Sequence, residues 1–194
     1  MVCGFCGAVA LDGSLEIAGG VPERMVGALR HRGPDGFGAW RDDRCFLGHA
    51  RLSIIDLEGG FQPLTGEEGR HWLVFNGEIF NYRELGAELA SRGHTFRTRS
   101  DSEVIVHAYQ EWGDRCVERF NGQFAFALWD RRRGRLFLAR DRFGIRPLFV
   151  TRVGRVLLFA SEIKALGAWP GFTPLLDRRG LAETFTFWTT IAPA

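Results

Sequence analysis

The chain has 194 residues, of which 45% are hydrophobic, and its formal net charge is +2. A chain of this size can bury the core of one domain, and its 17 Phe and 6 Trp residues argue against disorder. The 25 basic residues are balanced by 23 acidic residues spread along the chain, a pattern that excludes a nucleic-acid-binding footprint.

The apolar stretches are too short to cross a bilayer, and no basic segment followed by an apolar core opens the chain. We therefore expect a cytoplasmic protein that contacts neither membrane nor nucleic acid. In that reducing compartment the four cysteines should be free thiols.

The N-terminal half of the chain predicts strands and helices in turn. The small, apolar residues 4–11 predict a buried strand. Pro22 is typical of the first turn of a helix, and that helix is predicted to stop near Gly33-Pro34. Further strands are predicted at 45–55 and at 71–75, the latter ending in Asn76-Gly77, and a helix at 83–91.

In the C-terminal half, Ser100 and Glu103 have the spacing of a capping box at the start of a helix. Alternating apolar runs around turns predict hairpins. Because strands come in such pairs and helices in separate runs, the fold class is predicted to be α+β with layered sheets. The hairpins are predicted at 124–130 with 136–140 and at 148–153 with 156–160, and a last helix at 178–187.

Cys3 is the first candidate for chemistry. If it were the first residue, its own α-amino group, with an unperturbed pKa of roughly 7.7–8.0, could take the thiol proton. Two alternatives stay open: an ordinary cysteine of a buried strand, or a metal or redox pair, since Cys3-x-x-Cys6 has a suitable spacing. A zinc site usually needs further Cys or His ligands, and the remaining cysteines and the five histidines are scattered.

The second candidate is Asn76-Gly77, which follows an apolar run. A side-chain amide and a backbone N–H are neutral donors that suit an oxyanion. The same dipeptide is also the commonest hairpin turn, and that alternative stays open.

Arg51 and Asp101 are the third candidate, because an amino-acid substrate needs a cation for its carboxylate and an anion for its ammonium. Arg51 lies in an otherwise apolar run, where its guanidinium could hold a carboxylate with two hydrogen bonds. Asp101 lies at a helix start, and a simple helix cap is the alternative for it.

Taken together, the ordered segments resemble the class II glutamine amidotransferases. The Asn-Gly-Glu-Ile run at 76–79 and the Asp-Arg-Phe-Gly-Ile-Arg-Pro run at 141–147 favour the asparagine-synthetase branch of that family. The matching segments are 3–7, 31–36, 48–56, 62–64, 75–82, 100–104, 120–127, 138–148 and 160–166.

The resemblance implies an N-terminal-nucleophile hydrolase fold, an αββα four-layer sandwich with two facing antiparallel sheets. It implies that residues 1–175 form a type 2 glutaminase domain and that 176–194 begin a linker to a synthetase domain absent from this chain. No cofactor or metal is expected for the glutaminase domain, and ATP and Mg are expected only for the synthetase domain. Relatives commonly pair through this domain, so the resemblance is compatible with a homodimer.

By the same resemblance, Cys3 attacks the side-chain amide of glutamine with its own amine as base, and a glutamyl thioester forms. Ammonia leaves for an ATP-dependent, asparagine-forming partner domain, and water then releases glutamate. The matching site residues are Asn76 and Gly77 for the oxyanion hole, Arg51 for the α-carboxylate, Asp101 for the α-ammonium, and Leu52, Ser53, Ile54, Ile55 and Glu78 for the pocket lining. Arg32 and Gly33 match a loop close to the nucleophile, and the resemblance gives them no role.

Two departures from the family pattern bear on activity. Met1 and Val2 precede Cys3, so Val2 would acylate the amine that serves as base, and the chain as written is expected to be inactive. This leaves the alternative of a non-catalytic docking or regulatory module. The chain also contains no Ser-Gly-Gly-x-Asp-Ser run for ATP, which is why a separate synthetase domain is expected.

Overall fold

The computed structural model describes residues 3–53, 59–66 and 69–188. The predictions for Val2, Ile54, Ile55 and the tail 189–194 lie outside the described residues. The helices are α1 (Val21–Gly27), α2 (Tyr82–Ser91), α3 (Asp101–Trp112), α4 (Ile163–Leu166) and α5 (Arg178–Phe187), with a 3-10 helix at Gly113–Arg119. The strands are β1 (Gly4–Ala10), β2 (Gly36–Arg41), β3 (Cys45–Arg51), β4 (Leu64–Thr65), β5 (His71–Ile79), β6 (Gly122–Asp130), β7 (Arg135–Arg140), β8 (Phe149–Val153) and β9 (Val156–Ala160).

The strands form two sheets, and every pairing is antiparallel. The first sheet has the order β2-β3-β1-β9-β8, and the second has the order β4-β5-β6-β7. Both predicted hairpins are confirmed, as β6 with β7 and β8 with β9. The helices at α2, α3 and α5 also lie where they were predicted.

Three apolar clusters hold four layers together. One cluster packs α1 and α4 on the outer face of the first sheet, a second packs α2 and α3 on the outer face of the second sheet, and a third fills the space between the sheets. Each fully buried large side chain contributes about 1.5–3 kcal/mol. The αββα sandwich is therefore confirmed. Representative residues are Cys6, Phe46 and Leu166 in the first cluster, Phe75, Leu89 and Ile105 in the second, and Phe5, Leu47 and Trp129 in the third.

The edge strand β2 was not predicted from the sequence. Its two glycines weaken the strand signal, because glycine has a low strand propensity. Gly38 is nevertheless required, since a Cβ there would lie 1.9 Å from the Gln62 carbonyl oxygen of a crossing segment. Gly38 therefore weakens the strand signal in the sequence, and in the fold it leaves room for the Gln62 segment to cross β2.

Two boundaries differ from the sequence-based predictions. Helix α1 ends at Gly27, and only isolated turns continue to Arg32, where the predicted helix was to run on to Gly33-Pro34. Strand β5 does not end before Asn76-Gly77 but continues to Ile79, paired throughout with β6. The hairpin-turn interpretation of Asn76-Gly77 is therefore wrong.

The predicted capping box at α3 forms only in half. The Ser100 hydroxyl accepts a hydrogen bond from Ser102 N, as an N-cap should. The Glu103 carboxylate instead reaches back to the backbone N–H groups of Arg97 and Thr98, at 2.9 and 2.7 Å. Glu103 thus fixes the segment that enters the helix rather than closing the box.

Helix α5 carries no buried residue, and the proposed division at residue 175 stays a prediction. Within the described residues, none of the helices has both the length and the apolar character needed to cross a membrane.

Candidate active site

Cys3 lies immediately before β1, at one end of the space between the sheets. Its Sγ accepts a hydrogen bond from Leu52 N at 3.3 Å and donates to Leu52 O at 3.4 Å. Burial raises the pKa of the thiol, while the hydrogen bond to Leu52 and the charge of Arg51 partly oppose that shift. The thiol is therefore protonated at neutral pH and needs a base before it can react.

In the structure, the Cys3 and Cys6 side chains lie on opposite faces of the first sheet and do not meet. Side chains three positions apart on an extended chain point to opposite faces of a sheet. Cys6 is fully buried in the cluster against α1, whereas Cys3 contacts Leu52 at the sheet end. All four cysteines are free, and no group of three or more metal-ligand side chains occurs in the described part of the chain.

Asn76 faces Cys3 from β5 and is almost completely buried. In the amide orientation that satisfies its surroundings, Asn76 Nδ2 donates to Cys3 O at 3.0 Å, and its Oδ1 accepts from Arg32 Nη2 at 3.2 Å. One Nδ2 hydrogen is thus used by the protein, and the second is directed to neither of these partners. The side-chain amide predicted from the sequence is a fixed donor beside the thiol.

Gly77 follows in the same strand, and its backbone requires glycine. Its φ is 152°, and a Cβ would lie only 2.1 Å from the Gln123 carbonyl oxygen on β6. Phe75 N and Ile79 N donate to the side chains of Gln62 and Asp101, away from β6. Because alternate N–H groups of a strand point to the same edge, Gly77 N–H is directed to that edge as well.

Arg51 and Asp101 are buried charges of opposite sign near the thiol. Each is 4% exposed, and both act electrostatically on Cys3, Arg51 lowering and Asp101 raising the thiol pKa. The Arg51 guanidinium lies over the Phe61 ring at 4.6 Å. Asp101 accepts a hydrogen bond from Ile79 N at 3.0 Å, and burial raises its pKa to about 6. The Asp101 carboxylate thus contacts β5, which a simple helix cap would not do.

The remaining predicted site residues lie around the opening. Leu52 and Ser53 are half-buried, and Ser53 N donates to the Asp35 carboxylate at 2.8 Å. Glu78 is exposed, and its charge acts on both Asp101 and Arg146. Ile54 and Ile55 lie outside the described residues.

Arg32, to which the family resemblance gave no role, contacts three groups at the candidate site. Its Nε donates to Cys3 O at 2.9 Å, its Nη1 donates to Glu162 Oε1 at 2.9 Å, and its Nη2 reaches Asn76. Glu162 and Arg146 were not predicted from the sequence as site residues. All three lie within segments that match the family, but spacing along the chain does not reveal that they meet.

His49 closes the site from below. It is fully buried on β3, and its Nε2 lies 3.1 Å from the Phe75 carbonyl oxygen, which can only accept. Burial lowers the pKa of His49 to about 4, so the ring is neutral at pH 7 and donates through Nε2. His49 therefore ties the two sheets together directly beneath the site.

The fold has close structural neighbours. A solved structure of glutamine phosphoribosylpyrophosphate amidotransferase from B. subtilis, complexed with ADP and GMP, superposes with a TM-score of 0.71 at 23% identity, covering 86% of this chain and 43% of that chain. A structure described as the allosteric regulatory enzyme of purine biosynthesis superposes with a TM-score of 0.68, with the same identity and coverage. At this level of identity the likeness concerns the fold alone.

Sequence comparison gives closer relatives. Glutamine-hydrolysing asparagine synthetase 3 of Bacillus subtilis (strain 168) is 43% identical over 186 residues, which are 95% of this chain and 30% of that protein. The glutamine-hydrolysing asparagine synthetase of Zea mays is 41% identical over 166 residues, 84% of this chain and 28% of that protein. This chain thus spans less than a third of the length of either relative.

A family model also matches this chain over almost its whole length. A model described as glutamine amidotransferase domain matches residues 2–194 and so includes every site residue discussed above. The chain therefore belongs to the glutamine amidotransferase domain family.

Proposed function

We propose that this chain hydrolyses glutamine to glutamate and ammonia at Cys3. The observation that carries the proposal is the meeting of a thiol, a fixed amide donor and two buried opposite charges at one end of the sandwich. A thiol supplies a nucleophile, the amide supplies a donor for an oxyanion, and the charges suit the two ends of an α-amino acid. The names of the relatives, which are glutamine-hydrolysing enzymes, support the same reaction.

The proposed reaction begins with deprotonation of Cys3. The thiol attacks the carboxamide carbon, and the tetrahedral intermediate expels ammonia to leave a glutamyl thioester. Water then attacks the thioester and releases glutamate. The proton removed from sulfur goes to the leaving nitrogen, so the same base later acts as an acid.

The proposed base is the α-amino group of Cys3 itself. Among the described residues, Cys3 Sγ forms hydrogen bonds with the N–H and the carbonyl of Leu52, and neither is a base. A free α-amine titrates at roughly 7.7–8.0, close to neutrality. The proposed active form is therefore one in which Cys3 is the first residue, since an acylated nitrogen is not basic.

The other groups have proposed roles that follow from their charge and position. The second Nδ2 hydrogen of Asn76 and the Gly77 N–H would stabilise the developing oxyanion. Arg51 would bind the α-carboxylate and Asp101 the α-ammonium of glutamine, which fixes the orientation of the carboxamide against Cys3. Leu52, Ser53 and Glu78 would line the opening.

We further propose that the ammonia is used by an ATP-dependent, asparagine-forming domain that lies outside this chain. The support is that the relatives are asparagine synthetases and that this chain aligns to 30% of the length of one of them. ATP and Mg would belong to that domain, and the proposed glutaminase chemistry uses only side chains and backbone of this one.

The test is glutamate release from glutamine by two forms of the chain, one as written and one that begins at Cys3. We expect activity in the form that begins at Cys3 and little or none in the form with Val2 attached. Inactivity of both folded forms would contradict catalysis by this chain alone and favour a docking or regulatory module. Equal activity in both forms would overturn the role of the α-amine.

A further inference from the structure

We propose that Glu162 is a positioning residue for glutamine hydrolysis, acting through Arg32 on Cys3 and Asn76. The proposal rests on the function proposed above and adds a residue to that site. Glu162 is not in contact with the thiol, and its role is to hold the guanidinium that contacts both the nucleophilic residue and the amide donor.

The first observation is that Arg32 connects three groups with three different nitrogens. Nε donates to Cys3 O at 2.9 Å, Nη2 donates to Asn76 Oδ1 at 3.2 Å, and Nη1 donates to Glu162 Oε1 at 2.9 Å. A guanidinium is rigid and planar, so fixing one nitrogen fixes the direction of the other two. Glu162 is the only anionic group among these three partners and supplies the strongest of the three contacts.

The second observation is that Glu162 is itself fixed relative to the nucleophile. It is the second residue after β9, and the residue between, Ser161, is fully buried. Ser161 N donates to Phe5 O at 2.8 Å, and Phe5 N donates to the Ser161 hydroxyl at 3.1 Å. Ser161 thus holds the backbone beside Cys3, and its neighbour Glu162 holds the side chain of Arg32.

The third observation is electrostatic. Burial and then the positive charge of Arg32 lower the pKa of Arg146, so the two guanidinium groups act on each other electrostatically. Glu162 remains ionised because hydrogen bonds from Arg32, Lys164 and His31 outweigh the effect of its burial and lower its pKa to about 2. Its negative charge therefore offsets part of the repulsion between Arg32 and Arg146 while it holds Arg32 Nη1 at 2.9 Å.

Removing Glu162 should consequently free both the Arg32 guanidinium and the Asn76 side-chain amide to change orientation. Without the Nη2 hydrogen bond, Asn76 loses the contact that orients its Nδ2 towards the site, and its amide can turn over. Substrate binding by Arg51 and Asp101 does not depend on this contact. The expected signature is a loss of kcat with little change in KM.

The kinetic test compares Glu162→Ala and Glu162→Gln in the chain that begins at Cys3. We expect kcat to fall about tenfold to a hundredfold in Glu162→Ala, as misplacement of catalytic groups does, with KM within about threefold. Glu162→Gln keeps an acceptor and should retain more activity. The matched control is Glu118→Gln, which removes an exposed ion pair with Arg115 and should leave both constants unchanged. Unchanged kcat in Glu162→Ala would overturn the proposal.

A second measurement does not need turnover. The chain has only three asparagines, Asn76, Asn81 and Asn121. Labelling the asparagine side chains with ¹⁵N therefore gives three side-chain nitrogen signals. In Glu162→Ala we expect exchange of the Asn76 amide with water to rise about tenfold, the scale of one lost hydrogen bond. Asn81, which donates to Arg119 O, is the internal control and should not change.

The two measurements separate failure of this proposal from failure of the proposed function. If the unsubstituted chain does not hydrolyse glutamine, the function fails, and Asn76 exchange alone decides the role of Glu162. Unchanged Asn76 exchange in Glu162→Ala means that Arg32 is held without Glu162 and overturns the inference. Should the alanine variant not fold, Glu162→Gln is judged by the same two measurements: a smaller fall in kcat and a smaller rise in Asn76 exchange are expected, and no change in either would overturn the inference.

Discussion

The two ends of the space between the sheets differ sharply, although the same strands build both. At one end, the inward-facing residues of β1 and β3 are Val9, Cys45 and Leu47, and the space is filled with apolar side chains. At the other end, Cys3 lies immediately before β1, and the inward positions of β3 are His49 and Arg51. The contrast shows that side-chain alternation sets which residues face inward, and that the identity of those residues decides which end becomes a site.

The transition occurs at one level across both sheets. Phe5 on β1 lies opposite His49 on β3, and His49 contacts Phe75 O on β5. Below this level β5 contributes Val74, and above it β5 contributes Asn76. The apolar end therefore acts as a rigid base, and the polar end carries groups held by it. Substitutions at the two ends should separate stability from activity.

The largest expected contrast is between two cysteines on the same inner face. Cys3→Ala should reduce glutamine hydrolysis by about 10⁴-fold or more, because the proposed nucleophile is lost, and should leave the fold intact. Cys45→Ala, at the apolar end, should keep its activity and lose some stability. Steady-state kinetics with thermal unfolding of both variants checks this. Residual turnover at the normal rate in Cys3→Ala would remove Cys3 from the mechanism.

A smaller effect is expected at Leu47, which is fully buried at the apolar end. Leu47→Ala should lower the free energy of unfolding by about 2–5 kcal/mol, because it leaves a cavity between the sheets. At temperatures where the variant stays folded, its kcat should match that of the unsubstituted chain. Denaturant unfolding and kinetics at low temperature measure both quantities. A loss of kcat without loss of stability would show that the two ends are not separable in this way.

The smallest expected effect concerns pH and Asp101. Burial raises the pKa of Asp101 from 3.8 to about 6, so the fold binds this proton more tightly than the unfolded chain does. Its protonation contributes stability that is lost as the pH rises through about 6. A protonated Asp101 cannot attract the substrate ammonium, so KM for glutamine should rise about tenfold per pH unit below that value.

Asp101→Asn provides the matched control, because it keeps the size of the side chain. This variant should show a raised KM at neutral pH and a flat KM between pH 5 and 7. The measurement is KM against pH for both forms. If KM of Asp101→Asn rose equally steeply as the pH falls below about 6, the titration would belong to another group.

That the candidate site residues lie close together could be predicted from the sequence, because the family motifs link segments that are far apart along the chain. A cysteine near the chain start, an arginine in an apolar run and Asn-Gly after a strand each allowed an alternative, and the family motifs chose between them. The hairpin-turn alternative for Asn76-Gly77 fails in the structure because β6 pairs with β5 across both residues. The strands with continuous apolar runs were likewise predictable from pattern alone.

Contacts between distant segments could not be predicted from the sequence. Arg32 and Glu162 are 130 residues apart, and neither has a local signal that points to the other. The edge strand β2 was not predicted because glycine has a low strand propensity. Gly38 is present because its position must leave room for the Gln62 backbone, a contact that only the fold creates. In each case the determining interaction is with a chain segment that only the fold brings near.

The most direct test of the account is to label the chain that begins at Cys3 with a glutamine analogue carrying a diazoketone in place of the carboxamide. The diazo carbon takes up a proton, and attack by the thiolate on that carbon then displaces N₂ and leaves a stable thioether, which peptide mass spectrometry locates. We expect one label on Cys3, prevented by excess glutamine, and none on the buried thiols Cys6, Cys45 and Cys116. Labelling of any other cysteine, or no label on protein that hydrolyses glutamine, would contradict the account.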